Sequence, residues 1–447
     1  MSTLAPRTAG LPEQADSAQP AQPVEPAEAA VVRQSTLRVI TAISIGNALE
    51  WFEIVIYGFL AVTISKLFFP AENESVSLLI TLGTFGVTFV MRPVGSLVLG
   101  AYADARGRKN ALTLSMAIML CGTLLIAVSP TFAQIGLWAP GLVILARLLQ
   151  GFAAGGEFGS ATALLAEQDP RRRGFFASWQ FASQGITTFL AAGFGMGLNT
   201  LLTPEQLLAW GWRIPFFFGL LIGPAGLYIR RHLDEGQEFK RAAQQVQQAT
   251  PVRTTLVEQR GRTLAAMGLI ILATVVAYTG LFMPTFAVRQ LGLPASMAFA
   301  GTFWFGVLQF VLVPVFGGLS DRVGRVVIMR GAALVMGVMI VPLFYLLVNH
   351  PSVPALMLAL TAMGVVASAY WGPISAAMSE LFPAATRGTG LSVSYSFGVA
   401  IFGGFAPFIS AWLIAATGSK IAPSFYVAFG VVVSLVALRA ARRYGVK

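Results

Sequence analysis

The 447-residue sequence predicts an all-α membrane protein with twelve transmembrane helices in two pseudo-symmetric six-helix bundles. Three observations lead there. Hydrophobic residues form 56% of the chain and charged ones 11%, with a mean hydropathy of +0.73. That is more apolar surface than a soluble core of this size can hide. Twelve apolar segments are each long enough to cross a bilayer, about 20 residues. One short pattern also occurs twice, GAYADARGRK at 100–109 and GGLSDRVGR at 317–325, 217 positions apart in a chain of 447. A membrane bundle duplicated with matching elbows is the plan of a rocking transporter.

In chain order, residues 1–36 are rich in Ala, Pro, Glu and Gln without apolar periodicity, the composition of a disordered tail. It lacks the apolar segment and cleavage site of a signal peptide and is expected to stay on the chain, in the cytoplasm. The spans are expected near 39–65, 77–103, 110–129, 139–166, 175–201 and 213–230, then 263–287, 295–319, 327–348, 353–380, 389–416 and 422–440. The polar stretch 231–262 separates bundles at 37–230 and 263–441, and 442–447 forms a short tail.

Basic residues set the orientation. Arg106, Arg108 and Lys109, then Arg171 to Arg173, the 231–262 group, Arg322, Arg325 and Arg330, and Arg439 to Lys447 fall on one side. Lys66, Arg213, Arg289 and Lys420 fall on the other. That bias places both termini in the cytoplasm. The net charge of +11 thus marks topology, because the basic residues interrupt apolar runs instead of forming a nucleic-acid-binding patch. The lone Cys121 excludes a disulfide within the chain and reads as a buried small residue. His232 and His350 fall in loops on opposite faces, so no His-based metal centre, Ser-His-Asp triad or other membrane-enzyme site assembles from them. No cofactor or metal is expected.

The repeated elbow pairs Gly100, Asp104, Gly107 and Arg108 with Gly317, Asp321, Gly324 and Arg325. Each Asp ends a helix, where it can meet basic groups or the positive end of a neighbouring helix, and the glycine permits a tight turn. Such contacts form a conformational latch.

Five ionisable residues lie inside predicted spans, all in the first half: Glu50, Glu53, Arg92, Arg147 and Glu157. Each costs at least about 2.5 kcal/mol at a helix centre, so they should face the bundle interior and pair. Glu50, Glu53 and Tyr57 share one face of the first span. Arg147, Gln150, Ala154 and Glu157 form a stripe on the fourth, about 15 Å from end to end on a continuous helix. Three acids face two arginines, and a carboxylate buried without a partner takes up a proton. Arg92, just before Pro93, offers the planar fork that suits a substrate carboxylate, or else serves as partner to Glu50 or Glu53. Further polar candidates for the substrate path are Gln180, Gln184, Tyr278, Gln309, Tyr370 and Tyr395, with interhelical packing as the competing role for each.

The elbow resembles the G-x-x-x-D-R-x-G-R signature of the major facilitator superfamily. The second copy matches throughout, including Arg322, whereas Ala105 replaces the arginine in the first. The blocks GNALEWFEIVIYGFL (46–60), FVMRPVGSLVLG (89–100), ARLLQGFAAGGEFG (146–159), GWRIPF (211–216), GLYIRRHLDE (226–235) and ELFPAATRGTG (380–390) resemble the metabolite:proton symporter family. The resemblance implies proton-driven import of an organic acid or an osmolyte such as proline or betaine, across a bacterial inner membrane and by a functional monomer. It makes Glu53 the proton acceptor, at a position where relatives usually carry Asp, and Arg147 its switchable partner. The stretch TGSKIAP (417–423) is similar to citrate and tricarballylate members and favours a di- or tricarboxylate. An aromatic-acid importer and a drug/proton antiporter are the remaining alternatives. For the antiporter, Gly223-Pro224-Ala225-Gly226 lies in the sixth span and not the fifth, where FLAAGFGMGLN stands.

Overall fold

The computed structural model describes residues 26–106, 108–155, 157–220, 254–383 and 386–446. Every regular element among them is helical. In chain order the helices are α1 Pro26–Phe59, α2 Ala61–Phe68, α3 Glu74–Arg106, α4 Arg108–Val128, α5 Phe132–Ile135, α6 Trp138–Ala153, α7 Glu157–Glu167, α8 Arg173–Leu201 and α9 Pro204–Ala209. Residues 214–220 are helical as well. After them come α10 Arg260–Leu291, α11 Ala295–Val323, α12 Arg325–Asn349, α13 Val353–Leu381, α14 Arg387–Gly398, α15 Ala406–Thr417 and α16 Ala422–Arg443. Residues 40–447 make one compact unit, and 1–39 a separate one.

Seven continuous spans among the described residues have the length and apolarity to cross a membrane. Their bounds lie within a few residues of those expected. The first span differs. It is a pair, α1 and α2, bent by 65° at Leu60. The helix also begins at Pro26, inside the stretch expected to be a tail, where Pro at the first position and the run AEAA favour it. The fourth span differs as well. It breaks after Ala153, and α7 begins at Glu157, so the expected continuous stripe from Arg147 to Glu157 is not formed. Two adjacent glycines, Gly155 and Gly156, explain the weakness of the helix there. Residues 1–25, 221–253 and Gly107 lie outside the described residues, and with them the latter half of the sixth span and most of the central loop.

α8 of the first half packs along α11 of the second, and α11 in turn packs on α13. Two glycines allow the first contact: a Cβ on Gly185 would stand 2.8 Å from the Gly306 carbonyl, and one on Gly306 would stand 3.0 Å from that of Gly185. The outward surface is apolar, as at Val338 (77% exposed) and Leu358 (56%), which suits lipid and not water. Cys121 is on that outer surface and not in the core. A small apolar side chain sits as well against acyl chains as against other helices, so composition did not distinguish the two.

Candidate functional site

A cavity lies between helices of the two halves. Its walls come from α1 (Trp51, Val55, Phe59), α8 (Phe181, Gln184, Thr187, Thr188), α10 (Thr274, Tyr278, Leu281), α11 (Phe305, Gln309) and Tyr395 of α14. Its volume is about 50 Å³. Polar contacts join the halves at both ends of the unit, as described below. Tyr395 stacks on Phe158 at 3.4 Å between ring centroids. Gln309 Nε2 donates to the Phe181 carbonyl at 3.0 Å and links α11 to α8. Three polar atoms around the cavity are buried without a hydrogen-bond partner: Gln184 Nε2, Thr274 Oγ1 and Tyr278 Oη. Buried polar atoms are normally paired, so three around one cavity leave hydrogen-bonding capacity unused there.

Arg92 stands behind this wall. Its guanidinium lies 4.5 Å from the Trp51 ring centroid and 5.0 Å from that of Phe89. Its Nε and Nη2 are buried without partners. The aromatic faces offset part of the desolvation of the cation and leave those two donors unused. Its charge also reaches Tyr278 and Tyr395.

A second polar cluster lies within the first half and apart from the cavity. Glu53, 4% exposed, accepts a short hydrogen bond from Thr123 Oγ1 of α4. Gln150 Nε2 donates to the same hydroxyl at 2.9 Å, and Arg147 Nη1 donates to Gln150 Oε1 at 2.8 Å. Arg147 is fully buried, 4.4 Å from the Tyr57 ring centroid and 5.3 Å from that of Phe85, with Nη2 3.5 Å from the Ile54 carbonyl. Glu53 and Arg147 therefore form no direct ion pair here. Two neutral side chains, Thr123 and Gln150, connect them.

The sequence candidates accordingly divide. Gln184, Tyr278, Gln309 and Tyr395 line the cavity, and Arg92 stands behind its Trp51 wall. Tyr57 and Gln150 belong to the Arg147 cluster. Gln180 does not reach the cavity: its Nε2 donates to Asn47 Oδ1 at 3.0 Å, and Asn47 Nδ2 donates to the Gln180 carbonyl at 3.1 Å, tying α8 to α1. Tyr370 donates to the Leu269 carbonyl at 2.9 Å and ties α13 to α10. Glu50 is half-buried, and the Glu157 side chain lies outside the described residues. Sequence reasoning missed Trp51, Thr274 and Thr123. Trp51 had a signal, a tryptophan one residue from Glu50 and two from Glu53. The threonines had none, since a hydroxyl in an apolar run reads as a helix bonding to its own backbone.

The second elbow forms both expected contacts. Asp321 Oδ1 and Oδ2 accept from the backbone amides of Gly174 and Phe175 at 2.7 and 3.0 Å, at the start of α8. Arg325 bridges Asp321 and Glu380 at 3.1 Å each, and Arg173 stands 3.7 Å from Glu380. Gly317 lies against Ser178 of α8, and Gly324 turns the chain with φ 103°. Arg322 is exposed. Arg387 of α14 pairs with Glu167 of α7 at 2.6 Å on the same side. In the first elbow α3 carries Gly100 and Asp104, and Arg108 opens α4, but the side chains of Asp104 and Arg108 lie outside the described residues. At the opposite end Arg289 of α10 pairs with Glu74 of α3.

Residues 39–263 match the family model "Sugar (and other) transporter", and residues 295–445 match "Major Facilitator Superfamily". The citrate-proton symporter of Klebsiella pneumoniae is 40% identical over 400 residues, covering 89% of this chain and 90% of that protein. The proline/betaine transporter of Escherichia coli (strain K12) is 31% identical over 411 residues, covering 89% and 82%. A crystal structure of a D-xylose-proton symporter shares the fold, with a TM-score of 0.71 at 17% identity over 90% of this chain and 97% of that one. The paired halves, the cavity between them and these matches have one meaning: the chain belongs to the major facilitator superfamily, and it is a multi-pass membrane transporter, not an enzyme.

Proposed function

We propose that the protein imports a small organic acid, a di- or tricarboxylate with citrate favoured, together with protons and by alternating access. The observation that carries this reading is the convergence of unpaired buried donors on the cavity between the halves. Tyr278 Oη and Gln184 Nε2 border it, and the unused Nε and Nη2 of Arg92 lie behind Trp51. Buried donors without acceptors, two of them on a cation, call for an anion rich in oxygen acceptors. The similarity to citrate-proton symporters supports the same class.

In this reading Glu53 takes a proton from outside, substrate binding draws the halves together, and both are released to the cytoplasm. Glu50 and Glu157 belong to the same proton path. The two elbows, with Asp321 bound to the start of α8, form the cytoplasmic latch. The bundles are 37–230 and 263–441 joined by a cytoplasmic loop at 231–262. The protein sits in a bacterial inner membrane with both termini inside, works as a monomer and draws on the proton gradient without a cofactor.

A second reading has its own observation. Trp51, Phe181, Tyr278, Phe305 and Tyr395 all face the cavity, and aromatic faces suit the quaternary ammonium of a betaine. Uptake by proteoliposomes under an imposed pH gradient decides between them, with citrate, 2-oxoglutarate, phthalate, shikimate, proline and betaine as substrates. The main reading expects gradient-dependent uptake of a di- or tricarboxylate and none of betaine. Betaine or proline uptake alone selects the second, and drug efflux without organic-acid uptake overturns both. In the same assay Glu53→Gln is expected to keep counterflow and lose uphill accumulation, whereas undiminished accumulation removes Glu53 from the proton path.

A further inference from the structure

We infer that Thr123 is the positioning residue through which the protonation of Glu53 is passed to Arg147, by a hydroxyl that chooses between two acceptors. The inference rests on the reading of Glu53 as proton carrier and adds the residue that senses it. Thr123 is fully buried on α4. Its Oγ1 has three neighbours: the Glu53 carboxylate, the Met119 carbonyl at 3.2 Å and the Gln150 amide nitrogen at 2.9 Å.

The donor inventory allows two arrangements. A hydroxyl carries one proton and two lone pairs, and an ionised carboxylate only accepts. With Glu53 ionised, Thr123 donates to Glu53 and accepts from Gln150. With Glu53 protonated, the new carboxylic O–H becomes a donor and takes the second lone pair of Thr123. The threonine proton then turns to the Met119 carbonyl, one helical turn back on its own helix. One proton is gained, on Glu53, and none leaves Thr123. The heavy atoms need not move for the exchange. The Thr123–Gln150 bond persists while the bond from Thr123 to the carboxylate reverses, so Gln150 and the Arg147 guanidinium bonded to it experience a neutral neighbour in place of a charged one.

The surroundings leave few competitors. Among the described residues, the titratable groups near Glu53 are Glu50 and Tyr57 on its own helix and Arg147 across on α6. From α4 Thr123 meets it, and Gly219 of 214–220 stands against its side chain; neither carries a charge. Arg147 forms no ion pair among the described residues, so the amide of Gln150 and the hydroxyl of Thr123 are its connection to a carboxylate.

The test is the pH profile of gradient-driven uptake in proteoliposomes, with counterflow as the measure of folded transporter. Thr123→Val removes the hydroxyl at nearly constant volume. Its uptake limb is expected to move by about one pH unit toward higher pH, the size of one hydrogen bond to a charged group. Uphill accumulation should fall several-fold while counterflow stays. Thr123→Ser restores the wild-type profile. Thr123→Cys, with a weaker donor, lies between and carries the test where the valine variant does not fold. A valine or cysteine variant that superimposes on wild type, beside a Glu53→Gln variant that has lost accumulation, overturns the role of Thr123 and leaves that of Glu53 intact. Undiminished accumulation by Glu53→Gln overturns both.

Discussion

Arg92 shows how much a single side chain's role depends on neighbours that sequence does not order. The sequence placed an arginine mid-membrane and asked for a carboxylate partner. The structure places it against Trp51 and Phe89 with two nitrogens unused. A cation against aromatic faces in a dry site gains about 2 kcal/mol and stays available for a bidentate acceptor. Lysine keeps the charge but loses the fork and the planar stack. Arg92→Lys is therefore expected to raise KM for the carboxylate about tenfold, about 1.4 kcal/mol of binding, with a smaller change in kcat. Initial-rate uptake measures the split, and an unchanged KM would return Arg92 to a packing role.

At the scale of the element, the contact between α3 and α6 explains the spacing of Arg147 and Gly151. Arg147 and Gly151 form an R-x-x-x-G spacing. The arginine enters the buried cluster, while a Cβ on Gly151 would run into the Thr88 carbonyl of α3. Close helix approach, and not catalysis or turning, is what the glycine serves. Gly151→Val is expected to abolish the folded protein, seen as loss of the monodisperse peak in fluorescence-detection chromatography. Gly141→Ala on the same helix, with nothing within 4 Å of the added Cβ, should leave the peak and raise thermal stability slightly. Helix spans were legible because apolar length and charge placement are local. The bend at Leu60 and the break before Glu157 were less so, although the adjacent Gly155 and Gly156 were a local signal for the second.

Across the whole molecule, ties between the halves occur at both ends of the cavity. One end has Asp321 at the start of α8, the Arg325–Glu380–Arg173 group and Arg387–Glu167. The other has Arg289–Glu74. Asp321 is the most buried participant and is bound by two backbone amides, so its removal should bias the protein most. In a Cys121→Ser background, a cysteine at the buried Ser178 beside Gly317 reports opening of that end. Asp321→Asn is expected to increase its labelling by a water-soluble maleimide several-fold. Equal labelling in both backgrounds would mean that Asp321 does not hold this end closed. The repeat predicted contacts to basic groups or to a helix start from residue types alone, and Asp321 of the second copy makes both.

What the sequence determined by itself was the solvent, the limits of seven spans to within a few residues, the duplication and the confinement of buried charge to the first half. These follow from composition and spacing along one chain, where each residue's cost in lipid is nearly independent of its neighbours. Only the tertiary structure decided which polar groups meet. It assigned Gln180 and Tyr370 to helix ties, put Trp51 and Thr274 in the cavity wall, and inserted Thr123 and Gln150 between Glu53 and Arg147. Helical periodicity specifies a face to within about one residue, 100° of rotation. A hydrogen bond requires an atom within a few tenths of an ångström, and that precision comes from packing across helices.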